Sequence, residues 1–104
     1  MPFCARRCSY CDFAIAVRRE VPVAQFTDAI KAEVVTRGIG PAAGPIRSLY
    51  FGGGTPSKLG TGIGEITRLV STVSGTPTAG LGEVTVEANP EDINAATVRA
   101  WVKA

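Results

Sequence analysis

Residues 46–57, IRSLYFGGGTPS, are the stretch that decides the fold. The run from Ile46 to Phe51 is short, apolar and aromatic, and it ends abruptly at three glycines. Such a run, bounded by turn-forming residues, predicts a buried strand followed by a tight turn. Because periodicity alone does not separate a short strand from a buried helix segment, the assignment depends on the segments on either side.

The segments before and after this strand predict helices. Apolar residues recur at helical spacing from Pro22 to Arg37, with the proline suited to the first turn and Gly38 to the stop. A second run with the same spacing follows the glycines. The apolar positions are Val23, Phe26, Ile30 and Val34 in the first helix, and Ile63, Ile66, Leu69, Val70 and Val73 in the second.

The last third of the chain predicts one more strand and one more helix. After the loop SGTPTAGLG, the sequence EVTVE (83–87) alternates apolar and polar residues as a strand does, and Asn89-Pro90 breaks it. A third helix is expected to begin with Asn94 as its N-cap. Its apolar face is predicted to consist of Ala95, Val98, Trp101 and Val102.

The order of these elements predicts an α/β fold. Strands that alternate with helices at this spacing form parallel βαβ units, so we expect one parallel sheet. In such folds ligands bind beyond the carboxyl ends of the strands. The loops GGGTPS (52–57) and EANP (87–90) stand at such ends, and the cysteine-rich amino terminus joins them if MPF (1–3) is the remnant of a preceding strand. Three polar features are therefore expected at one rim.

Composition argues against several classes of protein. The 104 residues suffice for one small domain, and the net charge of +2 comes from basic residues that are mostly scattered along the chain. That is not the charge pattern of a nucleic-acid-binding protein. No apolar run approaches the roughly 18 residues that cross a bilayer, and no secretory signal opens the sequence. These observations predict a cytoplasmic protein.

Cys4, Cys8 and Cys11 are the candidate metal ligands. Their C-x3-C-x2-C spacing is too local for disulfides that staple a fold, and the chain contains no histidine. Zinc prefers four protein ligands, or histidine and carboxylate beside cysteine, so it fits poorly. A [4Fe–4S] cluster on three thiolates leaves one iron free for a small molecule. Cysteines without any ligand role are the alternative.

The two other features are ambiguous when taken alone. The glycines let the backbone approach a ligand closely, with amides, carbonyls and the Thr55 hydroxyl alongside, but a tight strand-to-helix turn explains them equally. They match neither a P-loop nor the G-x-G-x-x-G order of dinucleotide sites. Glu87 is either a surface carboxylate or a partner for ribose hydroxyls or an ammonium group. A neighbouring cluster would favour the ligand-binding interpretation of both.

The motifs together resemble those of a known family. C-x3-C-x2-C with Tyr10 directly before the last cysteine resembles the signature of the radical S-adenosylmethionine (SAM) superfamily. With YFGGGTPS (50–57) and VEANPE (86–91), the chain is similar over nearly its whole length to the oxygen-independent coproporphyrinogen III oxidase-like group. The resemblance implies a partial (β/α) barrel with a [4Fe–4S] cluster on Cys4, Cys8 and Cys11. Its open iron would bind the amino and carboxylate groups of SAM, whose reductive cleavage gives a 5′-deoxyadenosyl radical.

The resemblance also implies which residues contact SAM. Tyr10 would lie by the adenine, and Gly53, Gly54 and Thr55 would hold the methionine end. Glu87 would contact polar groups of SAM. In this interpretation the protein binds and orients the cofactors, which carry the chemistry.

The sequence departs from the group at both ends. The first barrel strand is reduced to MPF, and nothing follows the third helix. We therefore expect residues 1–104 to be the amino-terminal part of a radical SAM core domain. A barrel that is incomplete leaves strand edges and an apolar face exposed, so this chain is expected to be inactive alone.

Phe13 bears on which branch of the group the chain resembles. Oxidase-type relatives carry a further cysteine at this position, whereas an aromatic ring packs and cannot act as a thiol. The resemblance therefore favours the HemW-type haem chaperone branch, with haem or porphyrin and a haem-accepting protein as partners of the full-length protein. An oxygen-independent coproporphyrinogen III oxidase and a non-catalytic metal-binding fragment are the alternatives. No residue of this chain is a candidate haem ligand.

Overall fold

The computed structural model describes all 104 residues. The strands and helices are, in chain order, β1 (Phe3–Cys4), β2 (Ala16–Val17), α1 (Val23–Thr36), β3 (Ser48–Phe51), α2 (Gly62–Ser74), β4 (Glu83–Val86) and α3 (Ala95–Val102). Both strand pairs, β1 with β2 and β3 with β4, are parallel. The predicted α/β class with parallel strands is confirmed, and the three predicted helices and the strands 48–51 and 83–86 lie where the sequence pattern placed them.

The strands form two separate two-stranded sheets, so the expectation of one parallel sheet is wrong. The reason lies in the segment Met1–Phe3, which runs beside the glycines that follow β3 and not beside β3 itself. Gly54 N donates to Met1 O over 2.6 Å, and Thr55 N donates to Phe3 O over 2.8 Å. Because the glycine segment is not an extended strand, these bonds join the two sheets without forming a ladder.

The hydrophobic core lies between α2 and one face of the larger sheet. Its buried members are Phe51, Leu59, Ile63 and Ile66, and half-buried side chains of α1 pack against them. β3 was predicted to be a buried strand, but only Phe51 is buried and Tyr50 is 62% exposed. The alternation of side chains along a strand explains this result, because no element covers the second face of this sheet.

The third helix begins as its sequence predicts. Asn94 is the N-cap, and its Oδ1 accepts hydrogen bonds from the backbone N–H groups of Ala96 and Thr97, each over 3.0 Å. Of the residues predicted to form its apolar face, only Trp101 is half-buried, and Val102 is 82% exposed. The indole of Trp101 donates to Gly60 O over 2.8 Å and anchors the helix, while Val98 and Val102 remain exposed.

None of the helices combines the length and the apolar character that a membrane crossing requires. The longest, α1, has 14 residues and a largely exposed polar face. The cytoplasmic location stays a prediction.

Candidate functional site

A cavity of about 310 Å³ lies where the three predicted polar features meet. Its walls come from the cysteine loop (residues 4–15), the glycine loop (residues 52–55) and the segment that follows β4. Every predicted site residue except Glu87 lines this cavity. A larger cleft of about 680 Å³ between α2, β4 and α3 contains neither a cysteine nor an acidic side chain, so the smaller cavity is the candidate site.

All three cysteines are free thiols, but the protein surrounds them differently. Cys4, at the end of β1, is buried, whereas Cys8 and Cys11 lie half-buried in the irregular part of the cysteine loop. No three histidine, cysteine, aspartate or glutamate side chains stand close enough together to hold a metal ion. Three thiols that share one cavity are a suitable donor set for an iron–sulfur cluster. The cysteine loop must close further for all three thiolates to reach such a cluster.

The glycine loop is shaped by the amino-terminal segment that it contacts. A Cβ on Gly54 would lie 2.6 Å from Phe3 O and 3.0 Å from Cys4 Sγ. Gly53 has φ of +110°, and a Cβ there would lie 2.6 Å from Met1 O. The first reason for these glycines is therefore close approach to the chain's own backbone, a contact that the sequence pattern did not reveal.

The same contacts use the amide groups of the loop. The N–H groups of Gly53, Gly54 and Thr55 donate to Glu87 Oε2, Met1 O and Phe3 O. The carbonyl oxygens of Gly53 and Gly54 accept no hydrogen bond within the chain. Residues 53–55, the part of the loop that lines the cavity, therefore offer acceptors, which suit an ammonium group, while their amides are already used.

Glu87 lies outside the cavity and supports the glycine loop through a hydrogen bond. Its carboxylate accepts hydrogen bonds from Gly53 N, over 3.1 Å, and from the Tyr50 hydroxyl. The hydrogen bond to Glu87 raises the pKa of the Tyr50 phenol above its ordinary value of 10.0, with burial and the carboxylate charge adding to the effect. The assignment of Glu87 to SAM therefore stays a prediction, while its contacts show a supporting role.

Asn89 and Glu91, which the sequence pattern did not single out as site residues, also line the cavity. They follow the end of β4 by three and five residues, in the loop and the short 3₁₀ turn (Pro90–Asp92) that begin the crossover to α3. The motif VEANPE contained both residues, but a strand gives no spacing rule beyond its last ladder residue. The alternation of β4 therefore could not indicate which polar side chain turns toward the cavity.

A polar cluster ties the two βα loops to each other. Asp92 accepts hydrogen bonds from the Ser57 hydroxyl over 2.7 Å and from Lys58 Nζ over 2.6 Å. Ser57 Oγ in turn accepts from Asn89 N over 3.2 Å. Partial burial alone would raise the pKa of Asp92, but the Lys58 and Ser57 hydrogen bonds outweigh it and hold the pKa below the ordinary 3.8. This polar cluster therefore holds together the two loops beside the candidate site.

We expect the hydrogen bonds of Asp92 to make the free energy of unfolding depend on pH in the acid range. Because the pKa of Asp92 is lower in the folded chain, its stabilisation is fully present above the unfolded value of 3.8 and is lost as pH falls through the folded value. Asp92→Asn should lower the free energy of unfolding at neutral pH and flatten its fall in acid, measured by denaturant titration. Asp12→Asn, at an exposed carboxylate without a partner, is the control and should behave as the parent. Equal acid dependence in both variants would contradict the prediction.

Tyr10 stands at the mouth of the cavity and is 87% exposed. Interaction with the neighbouring Cys8 side chain raises the pKa of its phenol above 10.0. Its ring is free to stack on a ligand. The adenine contact assigned to it stays a prediction.

Comparison with known proteins identifies the family. The family model of the radical SAM superfamily matches residues 1–104, the whole chain. The chain belongs to the radical SAM superfamily. The recognition made from the cysteine, glycine and VEANPE motifs is thereby confirmed.

Relatives within the superfamily extend over most of the chain. It is 30% identical over 97 residues to "Heme chaperone HemW" of Bacillus subtilis (strain 168), an alignment that covers 91% of this chain and 25% of that protein. "Heme chaperone HemW" of Synechocystis sp. is 36% identical over 98 residues, covering 86% of this chain and 23% of that protein. "Anaerobilin synthase" of Escherichia coli O157:H7 is 32% identical over 107 residues, covering 100% and 24%.

The chain thus spans about a quarter of the length of the curated relatives that it matches. No solved structure matches this radical SAM chain significantly. Relatives with the haem chaperone name occur in more than one organism, and the anaerobilin synthase has similar identity. Identity alone therefore supports a radical SAM protein with HemW-type relatives and does not select one activity.

Proposed function

We propose that this chain is the cluster- and SAM-binding part of a HemW-like haem chaperone, a radical SAM protein of haem metabolism. The observation that carries the proposal is the single cavity lined by all three cysteines, Tyr10 and the glycine loop. Three motifs meet there whose residues lie up to 87 positions apart in sequence, from Cys4 to Glu91, as the βα arrangement predicts. The HemW-named relatives support the choice within the family.

The cysteines would hold a [4Fe–4S] cluster, for which the donor set is suitable. Three thiolates leave one iron without a protein ligand, and the chain has no histidine to fill that place. When bound, the cluster supplies the electron for SAM cleavage. The chain's own part is to bring the half-buried Cys8 and Cys11 toward the buried Cys4, to orient SAM and to exclude water from the cavity.

The glycine loop would bind the ammonium group at the methionine end of SAM. The N–H groups of Gly53, Gly54 and Thr55 already donate within the chain, to Glu87, Met1 and Phe3. The backbone groups of these residues that are left for a ligand are the carbonyl oxygens of Gly53 and Gly54. Carbonyl oxygens accept from an ammonium and repel a carboxylate. The SAM carboxylate would then have to find its partners outside this loop.

We expect Glu87→Ala to spare the cluster and to weaken SAM binding. The carboxylate fixes Gly53 N and Tyr50, so its removal frees the loop that presents the carbonyl oxygens. The loss of a charged hydrogen bond at such a site costs about 1–3 kcal/mol, roughly 5- to 150-fold in affinity. Calorimetric titration of the reconstituted protein with SAM measures the effect.

Glu83→Ala provides the matched control for this prediction. Glu83 begins the strand that Glu87 follows, is exposed and lies at the end of β4 remote from the cavity. SAM affinity in this variant should equal that of the parent. Unchanged affinity in Glu87→Ala as well would remove Glu87 from the site.

Anaerobic reconstitution with iron and sulfide tests the proposed cofactor. An electron paramagnetic resonance signal of a reduced [4Fe–4S] cluster that changes when SAM is added supports the radical SAM function. Stoichiometric zinc uptake without a cluster would instead support the metal-binding fragment. The free thiols and the shared cavity favour the first result.

Phe13 supports the chaperone over the oxidase. Its ring is exposed and lines the cavity. A cysteine at this position would place a thiol near the proposed cluster. The deciding assay offers the intact protein coproporphyrinogen III, SAM and a reductant in one reaction, and haem in another. Retained haem without decarboxylated product supports the chaperone, whereas decarboxylated product without retained haem supports the oxidase.

A further inference from the structure

Thr55 makes a contact with a cysteine that the family motif does not explain. Its hydroxyl donates a hydrogen bond to Cys4 Sγ over 3.3 Å, at a sulfur–oxygen distance normal for such a bond. Both residues are buried, with exposed fractions of 7% for Thr55 and 8% for Cys4.

The backbone fixes the Thr55 hydroxyl in this position. Thr55 N donates to Phe3 O over 2.8 Å, which places the threonine directly beside the residue before Cys4. Thr55 is also the N-cap of the 3₁₀ turn Pro56–Leu59, yet its side chain makes no capping hydrogen bond. The hydroxyl oxygen therefore accepts no capping hydrogen bond of the kind usual for an N-cap threonine, and the hydroxyl proton is donated to sulfur.

We infer that Thr55 is a positioning residue for the cluster, whose hydroxyl holds the Cys4 sulfur and raises the reduction potential. The inference rests on the proposed function, because it requires a cluster on Cys4. A reduced cluster carries one more negative charge, so a hydrogen bond to a ligating sulfur stabilises the reduced state more than the oxidised state. Burial strengthens the bond, because water does not compete for the sulfur.

This role is compatible with a contact between Thr55 and SAM. A hydroxyl donates one hydrogen bond and accepts two, and no group of the chain donates to Thr55 Oγ1. Its acceptor capacity remains open toward the cavity that Thr55 lines. One side chain thus links the buried cluster ligand to the SAM end of the site.

The test compares Thr55→Val, which has nearly the shape of threonine without the hydroxyl, with Thr55→Ser, which keeps the hydroxyl. Both variants and the parent are reconstituted in the intact protein, and the midpoint potential is measured without SAM by a redox titration monitored by electron paramagnetic resonance. We expect a more negative potential in Thr55→Val and the parent potential in Thr55→Ser. Equal potentials in all three proteins, at equal iron content, would overturn the inference.

Loss of the cluster in a variant also tests whether the Thr55 hydroxyl holds Cys4. If Thr55→Val takes up no iron, Thr55→Ala removes the hydroxyl without placing a methyl group against the sulfur. Iron loss in both, with a full cluster in Thr55→Ser, supports a hydroxyl that holds Cys4. Iron loss in Thr55→Ser as well would contradict it. A parent protein that forms no cluster would overturn the proposed function itself, which separates that failure from a failure of this inference.

Discussion

Cys8→Ala should abolish assembly of the [4Fe–4S] cluster. Two thiolates remain in the variant, and the chain has neither a fourth cysteine nor a histidine to replace the missing ligand. Glu91 lines the cavity, but a carboxylate is a hard ligand that does not substitute for thiolate at iron–sulfur clusters. Iron and sulfide per chain after anaerobic reconstitution, with the visible absorbance, should fall to the level of a protein without cysteines.

The fold should survive this substitution, because Cys8 is half-buried in a loop and contacts no member of the hydrophobic core. Ser9→Ala is the matched control, since Ser9 is the exposed neighbour in the same loop and its side chain makes no hydrogen bond. This control should assemble a full cluster. Full iron occupancy in Cys8→Ala would refute the assignment of the three cysteines as ligands.

The sequence predicted the secondary structure well where interactions between residues close in sequence determine it. The helical spacing around Phe26 and Ile66 and the capping side chain at Asn94 act within a few residues, and the structure confirms all three helices. The meeting of three motifs at one cavity also followed from the chain order of strands and helices. The radical SAM recognition was confirmed because its cysteine spacing is specific.

The errors concern contacts between distant residues. The length and pattern of MPF could not show that Met1 and Phe3 bond to the glycine loop and so divide the sheet in two. The alternation of β4 also could not show that the Glu87 carboxylate accepts a hydrogen bond from Gly53 N, and the assignment of Glu87 to SAM stays a prediction. The hydrogen bond from Thr55 to Cys4 joins residues 51 positions apart, and no local signal marks it.

These long-range contacts explain why a glycine motif was ambiguous in the sequence. Three consecutive glycines suit either a ligand or a tight turn, and the structure adds a third reason, the close packing of the amino-terminal segment. Through this packing the glycine loop, which is proposed to bind SAM, also holds in place Cys4, the proposed cluster ligand. A small change in the loop should therefore disturb both halves of the site.

Gly54→Ala should accordingly destabilise the fold and impair cluster assembly together. The added Cβ would lie 2.6 Å from Phe3 O and 3.0 Å from Cys4 Sγ, and a backbone carbonyl cannot rotate away as a flexible side chain can. Overpacking of this kind costs about 1–3 kcal/mol, and the segment that must move carries the buried cysteine. We expect a lower midpoint of thermal unfolding, by roughly 4–8 °C for each kcal/mol lost, and a reduced iron content.

Gly40→Ala separates this steric effect from the general effect of replacing glycine. Gly40 has an extended backbone that any residue adopts, and a Cβ there would meet nothing within 4 Å. The control should therefore keep the parent midpoint or exceed it slightly, because alanine restricts the unfolded chain. It should also keep its iron. If Gly54→Ala matches Gly40→Ala in both measurements, the amino-terminal segment does not pack against the glycine loop, and the proposed coupling between Cys4 and that loop is wrong.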